Sequence, residues 1–200
     1  SRSSHLSSTK VKVLKDIKYL SSTVVEAFEN DELEFWLMAN NYKPHIRVLL
    51  EDKPYRDIVN GVTLSTNIKD YLFDIRKPCD GWTKVFKELK NEIIFLERFK
   101  LRHLLVVIDF DYEFESRYKM FSDLVPDEYQ DRIFILGVDN KESEELKTFF
   151  SMSDFEKIGK KLVEDCPKSN LTNWQNRHLD CNLIEIERMK NSGIFEWLFK

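Results

Sequence analysis

Apolar residues recur at three- and four-residue steps from Lys10 to Phe28, through Val11, Leu14, Ile17, Leu20 and Val24. That is the spacing of one helix face. LEFWLMAN extends the helical pattern to Asn40, and Pro44 then breaks it. Ile46 to Leu50 predict a short buried strand. PYRDIVNG predicts a helix opened by Pro54 and closed by Gly61. VTLST predicts a second short strand, and YLFDIRKPCDGW a connecting stretch. In TKVFKELKNEIIFLERFK, Val85, Leu89, Ile93 and Leu96 form one amphipathic stripe. HLLVVIDF is apolar enough for a strand buried on both faces. SRYKMFSDLVPDEYQ predicts a helix interrupted near Pro126, and RIFILGV a fourth strand. Ser153 and Glu156 have capping-box spacing ahead of the helical FEKIGKKLVEDC, and HLDCNLIEIERMK predicts a last helix.

Strands and helices thus alternate from about His45 to Val138. Such alternation implies a mostly parallel four-stranded sheet covered by helices, an α/β, Rossmann-like architecture. The expected organisation is an N-terminal helical extension over residues 1–44, an α/β core over 45–140, and a C-terminal helical extension over 141–200 packed on that core. The chain has 200 residues, of which 42% are apolar and 13% aromatic, enough to bury a sizeable core. No apolar run exceeds five residues; a membrane span needs about 20. The first residues, SRSSHLSSTK, are polar and Ser-rich, with no pattern of a signal peptide. Cys79, Cys166 and Cys181 are odd in number and widely spaced. They predict no disulfide framework and a reducing, cytoplasmic setting.

Net charge changes the picture little. With 31 basic and 35 acidic residues, the balance of −4 argues against strong non-specific nucleic-acid binding. Local clustering is still present: Lys84, Lys87 and Lys90 share one predicted helix face, as do Lys157, Lys160 and Lys161. Such stripes form a basic groove or simply a solvated helix surface.

The candidate chemistry lies at strand ends. In a parallel sheet, ligands bind outside the carboxyl ends of the strands. IRVLL runs into Glu51 and Asp52, and LLVVI into Asp109 and Asp111. Strand side chains alternate, so Asp109 and Asp111 aim at one point if the strand continues through Asp111. Glu51 joins them if the first and third strands are neighbours. Three carboxylates at one point repel one another, and a hard divalent cation such as Mg²⁺ or Mn²⁺ removes that cost. Acids at a strand end are also common where a strand simply reaches water.

Glu directly after one buried strand and D-x-D directly after another, with a βαβα unit between, resembles the TOPRIM domain of topoisomerases, bacterial primases and OLD-family nucleases. The matching residues are Glu51, Gly61, Gly81, Asp109 and Asp111, over about Ile46 to Asp139. The resemblance implies that the Glu strand and the D-x-D strand lie side by side. It further implies that Glu51 acts as general acid or base or as a ligand, that Asp109 and Asp111 hold Mg²⁺, and that the substrate is DNA or RNA. Small proteins of this type work beside an ATPase in phage defence or repair, so an ATPase partner is a further implication. The family often writes E-G-x-x-D; here Asp52 stands at the glycine, Tyr55 at the second acid, and Asp57 two positions further on. Lys53 is a candidate phosphate contact or a solvated lysine. Asp139, ending the fourth strand, is a candidate fourth acid or a helix cap.

Three alternatives stay open. DFDYE resembles the D-x-D-x-T of haloacid-dehalogenase-like phosphatases, with Asp109 as nucleophile and Asp111 as acid/base, but Glu113 stands where Thr belongs. A non-catalytic interaction module would use the helical ends and aromatics such as Trp36, Trp174 and Trp197, which equally suit a core. Cys166, His178 and Cys181 have a zinc-like spacing without an evident fourth ligand. His45 and His103 lie at strand starts, on the edge opposite the acids.

Overall fold

A computed structural model describes residues 43–140, 144–168 and 170–200. The helices predicted over Lys10–Phe28 and up to Asn40, and with them nearly all of the extension predicted over 1–44, lie outside the described residues. Four parallel strands form one sheet: β1 (His45–Leu50), β2 (Phe73–Ile75), β3 (Arg102–Asp109) and β4 (Ile133–Val138), in the order β2-β1-β3-β4. β1 and β3 are neighbours in register, from His45 opposite Arg102 to Leu50 opposite Val107. The adjacency on which the acidic site depends is therefore present.

Seven helices accompany the strands among the described residues: α1 (Lys53–Thr63), α2 (Trp82–Phe95), α3 (Phe114–Ser122), α4 (Glu144–Phe150), α5 (Phe155–Val163), α6 (Leu183–Asn191) and α7 (Ile194–Leu198). Strand alternation sorts the side chains into two layers. Ile46, Val48, Leu50, Leu105 and Val107 pack with α1, α5, α6 and α7. Leu49, Leu104, Val106 and Ile108 pack with Val85 and Leu89 of α2 and Phe121 of α3. The segment after residue 140 is thus part of the layered core, and Asn41–Lys200 form one compact unit.

Two predicted elements are displaced. Gly61 does not end a helix: α1 runs through it to Thr63, whose Oγ1 donates to the Asn60 carbonyl at 2.8 Å. VTLST is therefore the end of α1 and the turn after it, although its β-branched residues favour a strand. The second strand is Phe73–Ile75, inside the stretch predicted as a connection. It is fixed by tertiary contact: Asp74 lies opposite Arg47 and accepts from its Nε at 2.6 Å. Gly61 has a packing role instead. A Cβ there would lie 2.0 Å from the Glu156 carbonyl oxygen, and one at Gly159 would lie 1.9 Å from that of Ile58. The two glycines let α1 and α5 cross in near backbone contact. The cap of α5 is also shifted by one: Asp154, not Ser153, accepts from the Glu156 amide, at 2.9 Å.

The outer edge of β4 is closed by side chains. Glu185 accepts the Ile135 amide at 2.9 Å, Asn182 both accepts from and donates to Gly137 at 2.8 and 2.7 Å, and the His178 carbonyl accepts the Asp139 amide at 2.8 Å. At the amino ends of the strands sits a buried ionic network. Arg47 donates to Glu92 at 2.7 Å, and Arg102 donates to Glu92 at 3.2 Å and to His45 Nε2 at 3.2 Å. Burial lowers the pKa of His45, and burial with Arg47 nearby lowers that of Arg102 to about 10. Among the described residues no helix is long and apolar enough to cross a membrane.

Candidate functional site

The chain passes from β1 out to β2 on one side, then crosses back to β3 on the other. The order of winding reverses between β1 and β3, and in open α/β sheets the crevice at that reversal is where ligands bind. Glu51 and Asp109 stand on either side of it. Glu51 follows β1, donating its own amide to the Val107 carbonyl at 3.1 Å. Its carboxylate accepts the Asp109 amide at 2.8 Å, and the Trp82 amide, at the start of α2, is near enough to favour its charged form. The Glu51 carbonyl in turn accepts from the amides of Asp80 and Gly81, at 2.8 and 3.4 Å. Gly81, at φ +124°, makes the turn from this contact into α2, a conformation that a side chain would strain. α1 starts at the same edge, with Asp52 as its cap accepting from the Tyr55 amide at 3.5 Å and a proline in its first turn.

Burial raises the pKa of Glu51, and the charges of Asp109 and Asp52 add to the rise against the two amides. Burial likewise raises Asp109, to about 6. Tyr55 comes up beside it from α1 and is 1% exposed. Its hydroxyl is close enough to the Asp109 carboxyl to act on its ionisation, yet short of hydrogen-bond geometry, so this buried hydroxyl has no partner. Burial and the Asp109 charge keep the phenol protonated at all ordinary pH.

Asp111 departs from expectation. β3 ends at Asp109, and Asp111 and Tyr112 turn into the left-handed region, at φ +51° and +59°. The two aspartates therefore do not alternate along one strand. The Asp111 amide instead folds back to donate to Asp109 Oδ1 at 3.0 Å. Its carboxylate is held by Arg117 of α3, whose Nη1 lies 2.5 Å from Asp111 Oδ2 and 2.7 Å from the Asp109 carbonyl oxygen. Asp139 follows β4 on the same edge; burial raises its carboxyl pKa, with the Tyr112 amide opposing the rise, and its Oδ1 is buried without a partner. Lys53 is exposed at the first position of α1. Asp57 sits two residues beyond Tyr55 on the same helix, about 200° around its axis, and so cannot face the same point.

No family model, curated protein or solved structure matches the chain. The site is defined by its own chemistry. Among the described residues, no three His, Cys, Asp or Glu side chains converge as a ready metal cluster. The zinc-like set is split: Cys166 is buried in the layer with α1 and α5, whereas Cys181 packs against the opposite layer. Glu51 and Asp109 suit a hard cation, since both offer carboxylate oxygens and burial, with the neighbouring acid charges, makes both hold their protons above the usual range. A third oxygen ligand from Asp111 is engaged by Arg117.

Arg117 and Trp82 were not singled out by the sequence, and Tyr55 only as the residue standing where a second acid was expected. The Arg117 guanidinium lies 4.9 Å from the Trp82 ring centre. Only its position four residues after Glu113, on one turn of a helix, gave a signal of pairing at this edge. Lys84, Lys87 and Lys90 are exposed along α2, as a solvated face requires. Trp174 is buried in the core, and Trp36 lies outside the described residues.

Proposed function

We propose that this chain is a TOPRIM-like phosphodiesterase that cleaves DNA or RNA with Mg²⁺ or Mn²⁺. The observation that carries the reading is the meeting of Glu51 and Asp109 across the β1–β3 crevice, with the Asp109 amide 2.8 Å from the Glu51 carboxylate. Asp109 and Asp111 would hold the ion, with Glu51 as a further ligand or as general acid/base. Held by these carboxylates, such an ion would supply Lewis-acid polarisation of the phosphate ester and orientation of a water. Glu51, with its pKa raised by burial, is better suited than an ordinary carboxyl to give or take a proton. The amino ends of α1 and α2, both at this edge, present amides and positive dipole ends toward an anionic substrate. Lys53 at the head of α1 adds a point charge for a neighbouring phosphate.

The test is cleavage of single- and double-stranded DNA and RNA with Mg²⁺ or Mn²⁺. Glu51→Ala and Asp109→Ala should each lose at least about a hundredfold in rate, with unchanged circular dichroism. A wild-type protein that cuts none of these substrates would overturn the reading. It would then favour a docking module for a partner such as an ATPase, or, if it releases phosphate from a monoester, a phosphatase with Asp109 as nucleophile.

A further inference from the structure

We infer that Arg117 is a resident counterion of the acidic edge, and that a divalent cation must displace it from Asp111 before all three carboxylates can act together. This rests on the function proposed above.

The Arg117 side chain is 9% exposed, while that of Asp111 is 44% exposed. A guanidinium keeps its charge at any working pH, so a buried one needs acceptors. Arg117 finds them at this edge: the Asp109 carbonyl oxygen and Asp111 Oδ2 on one nitrogen, with Glu113 Oε2 4.0 Å from the other, above the face of Trp82. The bonds hold a loop in which two successive residues, Asp111 and Tyr112, adopt left-handed backbone. Aspartate tolerates that conformation, whereas tyrosine adopts it rarely. The loop geometry is thus matched to the cation already present.

A second observation, independent of these bonds, points to a missing occupant. Tyr55 is buried, and its hydroxyl lies beside the Asp109 carboxyl without closing a hydrogen bond to it. Arg117 supplies the counter-charge on the Asp111 side, whereas Tyr55 offers Asp109 only a neutral hydroxyl. An ion between Glu51 and Asp109 would hold the Asp109 carboxylate ionised, the state in which it accepts from that hydroxyl. It would also compete with Arg117 for Asp111. The released guanidinium, still anchored on Trp82, would present its planar fork to a phosphate at the same edge.

Ion binding and the Arg117–Asp111 pair are then reciprocally coupled. Mn²⁺ binding, measured calorimetrically, should be about fivefold or more tighter in Arg117→Gln than in wild type, and near wild type in Arg117→Lys. A purely architectural Arg117 predicts the opposite, weaker binding as the loop loses its anchor. In wild type, Mg²⁺ titration should move the Arg117 guanidinium signals in ¹⁵N NMR in step with ion occupancy, a measurement that needs no variant to fold. Wild type that binds the ion with Arg117 signals unmoved, or Arg117→Gln that binds it no more tightly, overturns this inference alone. Wild type that binds no divalent ion overturns it together with the metal-dependent function.

Discussion

Asp109 carries a pH signature that can be measured without substrate. Its pKa rises from 3.8 to about 6 on folding, chiefly by burial, and Glu51 shifts in the same direction. A carboxyl raised in the folded state favours folding when protonated. Its stabilising contribution is complete below about pH 4 and is lost as pH rises through about 6. Denaturant unfolding of the ion-free protein should therefore show a downward component in stability across this window. Asp109→Asn should flatten it, and Mg²⁺ should suppress it by stabilising the ionised form. A curve equally steep in Asp109→Asn would contradict the burial of that charge. The sequence made this residue legible because a five-residue apolar run ending in acid has few interpretations. Asp111 was not legible in the same way. Whether a strand continues two residues past its apolar run is decided by the left-handed turn and by Arg117, and neither is encoded in alternation.

At the level of elements, the parallel sheet and most helices follow from periodicity, but β2 does not. Phe73–Ile75 is three half-buried residues, too short for a pattern, and its place is set by pairing with β1 and by the Arg47–Asp74 ion pair. The competing signal in VTLST lost because Val62 and Thr63 are drawn into α1, where helix packing outweighs β-propensity. That packing depends on Gly61 and Gly159. Either Gly61→Ala or Gly159→Ala forces backbones apart, since the new methyl would overlap a carbonyl oxygen. Each should lower stability by about 1–3 kcal/mol or more, seen as a lower urea midpoint. Because α1 carries Tyr55 and the Asp52 cap, both substitutions should also weaken Mn²⁺ binding. A substitution that destabilises without touching Mn²⁺ affinity would show that the α1–α5 crossing does not set the site.

Across the whole molecule, charge is divided between the two ends of the sheet. The carboxyl end gathers Glu51, Asp52, Asp109 and Asp111, the last paired with Arg117, and the amino end buries Arg47 and Arg102 against Glu92 and Asp74. The second network is satisfied internally and reads as structural. Glu92→Ala would strand two buried guanidinium groups, at a cost of about 3–5 kcal/mol. It should leave Mn²⁺ affinity unchanged in protein that remains folded, as judged by calorimetry below the melting temperature. The sequence placed His45 and His103 at this end but gave no sign that Glu92, on an amphipathic helix, would point inward. The closed rim of β4 bears on how the protein meets others. Its outward amides at 135, 137 and 139 already have acceptors within the chain, so that flank cannot recruit a foreign strand by β-augmentation. Any assembly formed on that side must be built from side-chain surfaces, and it would be insensitive to peptides that compete by extending a sheet.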